Sequence, residues 1–197
     1  MLTRWDKWYA QENLDKDPRI LAAPASMCAQ TAAWEFLRRG IRRVLDLACG
    51  VGRDSFYLAE RGLQVTGVDA ALNGLRVAAQ VGRRNKAPVE LVGADARWLP
   101  FEAGAFEGVY CFGLLHELTG EHKGEDVAQV MAEIGRVLCP QGILVLTVLS
   151  GEADAGLPAV QLFTREMFDQ ATRGWQPIEI KAYDDIGCTG RPDYHIW

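Results

Sequence analysis

The stretch VLDLACGVGRDSFYLAERGLQVTGVDA, from Val44 to Ala70, joins two short apolar runs through a glycine-rich turn and a helix-like segment. The first run ends just before Gly50, and the second ends at Asp69. This order is typical of a β-α-β unit whose glycine turn follows the first strand. Since α/β sheets bind ligands at the carboxyl ends of their strands, the stretch predicts both the fold and the place of the site.

Strand-like and helix-like segments alternate along most of the chain. The predicted helices span residues 27–39, 54–61, 71–85, 125–138 and 163–170, and the predicted strands span 44–47, 64–69, 89–92, 106–112, 143–148 and 178–183. Such alternation predicts an α/β fold with a doubly wound, mostly parallel, Rossmann-like sheet and helices on both faces. We expect one domain over 1–197, with an N-terminal helical cap at 1–40 and the sheet core at 41–197.

Composition excludes several classes of protein. With 197 residues, 49% of them hydrophobic, the chain can bury a sizeable core. A net charge of −5 gives no general attraction to nucleic acid, and neither a signal peptide nor an apolar run of about 20 residues points to a membrane. The five cysteines have no CxxC spacing, so we predict no disulfide framework, no metal site and a cytoplasmic location.

The turn after the first strand has the wrong charge for a phosphate. Gly50 and Gly52 match a dinucleotide fingerprint, but Ser55 stands at the third glycine position. Asp46 and Asp54 flank the turn, and a carboxylate there opposes the binding of a pyrophosphate. A ligand with an amino cation and a sulfonium suits the turn better, which favours S-adenosylmethionine, although Arg53 offsets one of the two negative charges.

Two further acidic residues follow the second and third strands. Asp69 lies 19 residues after Gly50, where a carboxylate can accept hydrogen bonds from both ribose hydroxyls. Asp95, with Ala96 beside it, can accept from the adenine amino group or can cap its own loop. The position of Asp69 suits NAD equally well, so these residues indicate a nucleoside without choosing the cofactor.

From Arg43 to about Val148 the chain resembles the class I (Rossmann-like) S-adenosylmethionine-dependent methyltransferases. The resemblance rests on VLDLACGVGRD, VTGVDAA, GADARWLPF, FEGVYCFGLLHEL and IGRVLCPQGILVLTV, in the order of the family. WDKWYA and GVGRDSFYLAERG resemble the small tellurite-resistance and thiopurine methyltransferases. The family implies a seven-stranded sheet with an antiparallel last strand, here short or truncated. It also implies that an N-terminal helix and the loops after the fourth and fifth strands cover the site.

Pattern and resemblance together predict the cofactor contacts. They are Tyr9, Asp46, Ala48, Gly50, Gly52, Arg53, Asp69, Ala70, Asp95, Ala96 and Phe112. Ala48 departs from the family, in which glycine is frequent. Trp5 and Trp8 either form a lid with Tyr9 or pack in the core, and Arg191, Tyr194 and His195 are candidates for the substrate opening. A thiol function for Cys28 or Cys188 has no ligand spacing to support it.

His116 and Glu117 follow the fourth strand, where an acceptor would meet the cofactor. His116 is a candidate general base with Glu117 as its orienter or as an alternative base. The other interpretation is that His116 only shapes the site, because methyl transfer can rely on positioning alone.

These observations predict a cytoplasmic methyltransferase that passes a methyl group from S-adenosylmethionine to a small-molecule nucleophile and leaves S-adenosylhomocysteine. We expect a small-molecule methyl acceptor, no nucleic acid or membrane partner, and a monomer or homodimer. Two alternatives stay open: a non-catalytic protein that binds S-adenosylmethionine or S-adenosylhomocysteine, and an NAD-dependent oxidoreductase.

Overall fold

The computed structural model describes residues 4–10, 13, 24–85, 88–118, 122–151, 162–180, 183–184 and 195–196. Its helices are α1 (Arg4–Trp8), α2 (Met27–Arg38), α3 (Arg53–Glu60), α4 (Leu72–Asn85), α5 (Lys123–Val137) and α6 (Arg165–Ala171), with a 3₁₀ turn at Leu115–Glu117. Its strands are β1 (Arg43–Leu47), β2 (Gln64–Asp69), β3 (Val89–Gly93), β4 (Phe106–Phe112), β5 (Leu138–Thr147), β6 (Leu149–Ser150), β7 (Tyr183–Asp184) and β8 (His195–Ile196). Within these residues, no helix combines the length and apolar character needed to cross a membrane.

The predicted α/β fold class is confirmed by a parallel sheet with strand order β3-β2-β1-β4-β5. The order reverses between β1 and β4, which is where doubly wound sheets open a crevice for a ligand. Asp46 of β1 lies opposite Gly67 of β2 and Tyr110 of β4. This register brings the ends of the three strands to one edge, so their last residues surround the crevice.

The sheet differs from the seven-stranded expectation. Five strands form the parallel sheet of the described residues, and β6, β8 and β7 form a separate small antiparallel sheet. Residues 178–180, predicted as strand, have no regular structure. β5 begins at Leu138 instead of residue 143, because Leu138 already pairs with Phe106 of β4. The backbone then turns at Gln141, which has a φ angle of 66°, and the pairing with β4 resumes at Ile143. The Pro-Gln-Gly sequence lies between the predicted helix and the predicted strand, and it forms a bulge within a longer strand.

Apolar side chains cover both faces of the sheet, as the helices on either side require. Leu45 and Leu47 of β1 pack with α5 on one face, where Val130 and Ile134 are fully buried. Val44 faces the opposite side, in a cluster supplied by α2 and α3. Two hydrophobic layers therefore hold β1 in the centre of the sheet and fix the position of the turn that follows it.

A buried polar cluster ties α2 to α3 and β4. Ser26 caps α2 by accepting a hydrogen bond from the Ala29 amide at 2.9 Å. The Ser26 amide and hydroxyl donate to the Asp54 carboxylate at 2.9 and 2.8 Å, and the Tyr110 hydroxyl donates to it at 2.9 Å. Arg53 adds an ion pair to Asp54 at 2.9 Å. Asp54 is thus the shared acceptor of three elements next to the glycine turn.

Replacing Asp54 with alanine should lower the free energy of unfolding by about 2–4 kcal/mol, because buried donors on Ser26 and Tyr110 would lose their acceptor. Urea unfolding followed by circular dichroism measures the change. Asp169→Ala is the matched control: it removes an exposed carboxylate from its pair with Arg165 and should cost under about 0.5 kcal/mol. Equal midpoints for the two variants would contradict the role given to Asp54.

Candidate functional site

The predicted site residues converge on the carboxyl edge of the sheet. Asp46 is in β1, Asp69 ends β2, and Phe112 ends β4. The register of the three strands places these residues around the order reversal. The turn between β1 and α3 closes this edge, and the first residues of α4 lie beside it.

Every second residue of the glycine turn, from Ala48 to Gly52, has a left-handed backbone conformation. Ala48, Gly50 and Gly52 have φ angles of 66°, 56° and 80°. The amides of Ala48 and Cys49 donate to the Val68 carbonyl at 2.8 and 3.0 Å, which hooks the turn onto β2. A non-glycine residue in this region costs on the order of 1 kcal/mol, so Ala48 carries strain that a glycine would avoid.

Asp69 is held by backbone amides from both sides of the crevice. The Gly50 amide donates to one carboxylate oxygen at 2.8 Å, and the Ala71 amide donates to the other at 2.7 Å. Burial raises the pKa of Asp69, and these amides oppose the shift. The carboxylate therefore has a fixed orientation between the glycine turn and the start of α4, with exposed Ala70 beside it.

Asp46 is buried at 2% exposure and accepts a short hydrogen bond from the Ser55 hydroxyl. Burial raises its pKa to about 7, and the neighbouring Asp54 and Asp69 act in the same direction. Arg53 opposes the shift. The negative charges at this edge thus exceed the local positive charge, and a cationic ligand would relieve the excess.

Arg53 and Asp54 pair with each other at the start of α3. The Arg53 guanidinium donates to both oxygens of Asp54, at 2.9 and 3.2 Å, and lies 5.7 Å from the centre of the Phe112 ring. Because the buried carboxylate of Asp54 also serves Ser26 and Tyr110, it belongs to the polar cluster of the fold. The acidic character inferred from Asp46 and Asp54 therefore comes, at the crevice, from Asp46 and Asp69.

Tyr9 lies directly against the glycine turn. A Cβ atom built on Gly50 would be 2.7 Å from the Tyr9 hydroxyl, and one built on Gly74 would be 2.9 Å from the Tyr9 ring. Trp5 stacks on Tyr9 with ring centres 5.7 Å apart. Burial and the nearby Asp69 raise the pKa of Tyr9. The tyrosine thus fills the space above the turn in the described structure.

Helix α1 is attached on both sides of this space. The Asn73 amide donates to the Asp6 carboxylate at 3.1 Å, and the Asn73 side chain donates to the Asp6 carbonyl at 2.9 Å. On the other side Arg4 forms an ion pair with Glu117. Trp8, predicted with Trp5 and Tyr9 as part of a lid, is 52% exposed. Tyr9 therefore covers the turn, and Trp5 stacks on Tyr9.

The structure distinguishes His116 from Glu117. His116 is buried, and its Nδ1 accepts a hydrogen bond from the Leu149 amide at 3.2 Å. Burial, assisted by Arg4, lowers its pKa to about 4. The neutral ring then carries its proton on Nε2, which lies 3.9 Å from a Glu117 oxygen. Burial raises the pKa of Glu117 against the opposing effects of Arg4 and Trp5.

Asp95 is engaged by its neighbour in the loop after β3. The Arg97 side chain donates to both Asp95 oxygens at 3.0 and 2.6 Å, and the Arg97 amide adds a third bond at 2.9 Å. These contacts lower the pKa of Asp95. The bond from the Arg97 amide is the loop cap that was one of the two interpretations of Asp95. Asp95 and the half-buried Ala96 lie at the β3 end of the crevice.

Sequence reasoning missed several residues of the site. Ser55 was noticed only as a missing third glycine, although a hydroxyl nine residues after Asp46 can reach its carboxylate across the turn. Nothing local connects Arg4 with Glu117, or Asn73 with Asp6, because these pairs are 113 and 67 residues apart. Arg191, Tyr194, Cys188 and the side chain of His195 lie outside the described residues.

The sequence of the chain is similar to known methyltransferases. A family model described as a methyltransferase domain matches residues 45–146. A putative methyltransferase of Bacillus subtilis, YqeM, is 37% identical over 109 residues, which are 55% of this chain and 42% of that protein. Glycine N-methyltransferase of Rattus norvegicus is 36% identical over 134 residues, 61% of this chain and 46% of that protein. The chain thus spans under half the length of these curated relatives.

The same fold occurs in solved structures. The 1,6-didemethyltoxoflavin-N1-methyltransferase of Burkholderia thailandensis, solved with its substrate and S-adenosylhomocysteine, aligns with a TM-score of 0.65 at 21% identity. The alignment covers 87% of this chain and 76% of that one. The family match spans more than half of the chain and contains the turn, Asp69, Asp95 and the fourth strand. The chain therefore belongs to the methyltransferase-domain family of the class I S-adenosylmethionine-dependent methyltransferases.

Proposed function

We propose that this protein transfers the methyl group of S-adenosylmethionine to a small-molecule nucleophile. The observation that carries the proposal is Asp69, whose two oxygens are oriented by the amides of Gly50 and Ala71. This arrangement suits the two hydroxyls of a ribose, because a carboxylate keeps acceptor capacity beyond those two bonds. The left-handed turn beside it favours close approach of a ligand to the backbone.

The negative charge at the carboxyl edge of the sheet favours the binding of S-adenosylmethionine over that of a dinucleotide. Burial raises the pKa values of Asp46 and Asp69, and repulsion from neighbouring carboxylates adds to the effect: Asp54 and Asp69 act on Asp46, and Asp6 acts on Asp69. A pyrophosphate would add to that repulsion, whereas an ammonium group and a sulfonium would reduce it. The residues present therefore fit S-adenosylmethionine, which when bound would supply a methyl group activated by the positively charged sulfur.

Each predicted contact has a role in this proposal. Ala48, Gly50 and Gly52 would line the methionine portion, with Asp46 as the counter-charge of its amino group. Asp69 and Ala70 would hold the ribose, and Asp95 and Ala96 the adenine. Phe112, with Arg53 over its ring, would border the reacting sulfur. Tyr9 would cover the methionine portion or move aside for it, since it lies against Gly50.

The acceptor is proposed as a small molecule. The relatives include enzymes named for glycine, glycine or sarcosine, and demethylmenaquinone, and a structural neighbour acts on 1,6-didemethyltoxoflavin. In this chain α1 packs over the crevice through Tyr9 and through the pair of Arg4 with Glu117. A covered crevice suits a compact acceptor that is enclosed during the reaction, because enclosure excludes water.

Glu117 suits the role of base better than His116. The Nδ1 lone pair of His116 is occupied by the Leu149 amide, which leaves the ring as a donor through Nε2. Glu117 retains a half-buried carboxylate with a raised pKa, which strengthens it as a proton acceptor. We assign His116 the task of shaping the site and donating a hydrogen bond.

Replacing Asp69 with alanine should raise the dissociation constant of S-adenosylhomocysteine by about 5- to 150-fold, the equivalent of 1–3 kcal/mol for lost hydrogen bonds. Calorimetric titrations of wild type and variant measure this, with Asp169→Ala as the control and NAD as the competing ligand. Binding of NAD but not of S-adenosylhomocysteine would favour the oxidoreductase alternative. Tight binding without methyl transfer to any amine, thiol, phenol or quinol would favour the non-catalytic alternative.

The affinity for S-adenosylmethionine should change by only about twofold between pH 8 and pH 7 and fall more steeply as the pH drops from 7 to 6. Asp46, with a pKa of about 7, must be ionised to balance the ligand's amino cation, so protonation competes with binding by up to about tenfold per pH unit. Titrations at pH 8, 7 and 6 measure the slope. Asp46→Asn should bind more weakly at pH 8 and lose this dependence. A variant with the wild-type slope would contradict the role of Asp46.

The two candidate bases can be separated by isosteric variants assayed on an acceptor that the wild type methylates. His116→Asn keeps an acceptor for the Leu149 amide and should retain kcat within about tenfold. Glu117→Gln keeps the shape but removes both the base and the charge that pairs with Arg4, and should lower kcat by about 10² or more if the acceptor must lose a proton. Arg4→Ala removes the same pair but keeps the base, and should lower kcat by less. The reverse ranking would return the base role to His116.

A further inference from the structure

A polar network outside the glycine turn surrounds Arg97, in the loop after β3. Its Nε and Nη2 atoms donate to Asp95 at 3.0 and 2.6 Å, and its Nη1 atom donates to Asp126 at 2.9 Å. Asp126 lies in the first turn of α5. Gln129, also on α5, donates to the Arg97 carbonyl at 3.0 Å. Arg97 is thus clamped between its own loop and a helix on one face of the sheet.

This clamp determines what Asp95 can still accept. One oxygen of Asp95 receives both the Arg97 amide and Nε, while among the described residues the other oxygen receives Nη2 alone. A carboxylate has about four lone-pair positions, so the described contacts use three of them. The remaining position belongs to the oxygen bonded by Nη2, and it has room for a single donor. The exocyclic amino group of an adenine is such a donor.

We infer that Arg97 is a positioning residue for adenine recognition, which holds Asp95 so that one oxygen faces the 6-amino group, with Asp126 of α5 fixing Arg97 in turn. This inference rests on the proposed function, because it needs a nucleoside cofactor along the edge from Asp69 to Asp95. Both oxygens of Asp95 are gripped through a planar guanidinium, which a single ammonium group cannot imitate. Geometry, and not merely positive charge, is therefore the property that Arg97 supplies.

The test compares two ligands that differ at one group: S-adenosylhomocysteine and its purine analogue in which hydrogen replaces the 6-amino group. The measured quantity is the ratio of their dissociation constants in calorimetric titrations. In the wild type the analogue should bind about tenfold or more weakly, because a hydrogen bond to a carboxylate is lost. Arg97→Ala should reduce the ratio to about one or two.

Three further variants separate positioning from other effects. Arg97→Lys keeps the charge and should lose most of the ratio, since it cannot grip both oxygens. Asp126→Asn leaves the bonds from Arg97 to Asp95 in place but removes the ion pair of Arg97 with Asp126. Because that pair is partly exposed, the variant should lower the ratio by only about two- to threefold. Arg165→Ala removes the exposed pair with Asp169 and should leave the ratio unchanged.

The outcomes distinguish this inference from the proposed function. If Arg97→Ala weakens both ligands equally, or Arg97→Lys keeps the full ratio, Arg97 does not position Asp95 and the inference fails. A wild type that binds both ligands equally would overturn the contact of Asp95 with the amino group, while the proposed cofactor would stand. Failure of the wild type to bind either ligand would overturn both.

Discussion

The bonds from the amides of Gly50 and Ala71 to the Asp69 carboxylate are the constraint on which the site depends. They join the turn after β1 to the turn after β2, so neither can move without the other. Because β1 is buried on both faces of the sheet, the whole assembly is anchored in the core. The two central β-α units therefore act as one rigid edge, and rigidity at this point is what a site for positioning a reactive ligand needs.

Three carboxylates lie near this edge, and the fold gives them different tasks. Asp54 is shared by Ser26, Tyr110 and Arg53, so its charge is compensated inside the fold. Among the described residues, Asp46 accepts a side-chain hydrogen bond from one hydroxyl, that of Ser55, and burial raises its pKa to about 7. A buried acid left partly uncompensated lowers stability, and functional sites are where such costs concentrate. The contrast between neighbouring Asp54 and Asp46 thus separates structure from binding.

Sequence patterns predicted the sheet well because its rules are local. The order of elements from β1 to α4 was predicted from the apolar runs, the glycine turn and the helical pattern between them. The spacing of Asp69 from Gly50 predicted that both lie at the same edge of the sheet. The bulge in β5 was not predicted, because the pairing of Leu138 with Phe106 of β4 leaves no signal in the local sequence of residues 138–142. The prediction that Asp54 contributes its charge to the crevice was wrong, because its side chain points into the buried cluster with Ser26 and Tyr110. Sequence shows that a residue is acidic but not which way its side chain points.

The contacts that sequence could not predict are those that close the site at its two ends. Arg4 meets Glu117 across 113 residues, and Arg97 meets Asp126 across 29, so neither pair leaves a periodic signal. Both pairs join a charged residue of the crevice border to a helix outside the central β-α units. Single exposed ion pairs contribute little stability, so their value here is geometric. Many enzymes share one fold and differ in the segments around the site. Here the two long-range pairs determine the positions of α1 and of the loop after β3.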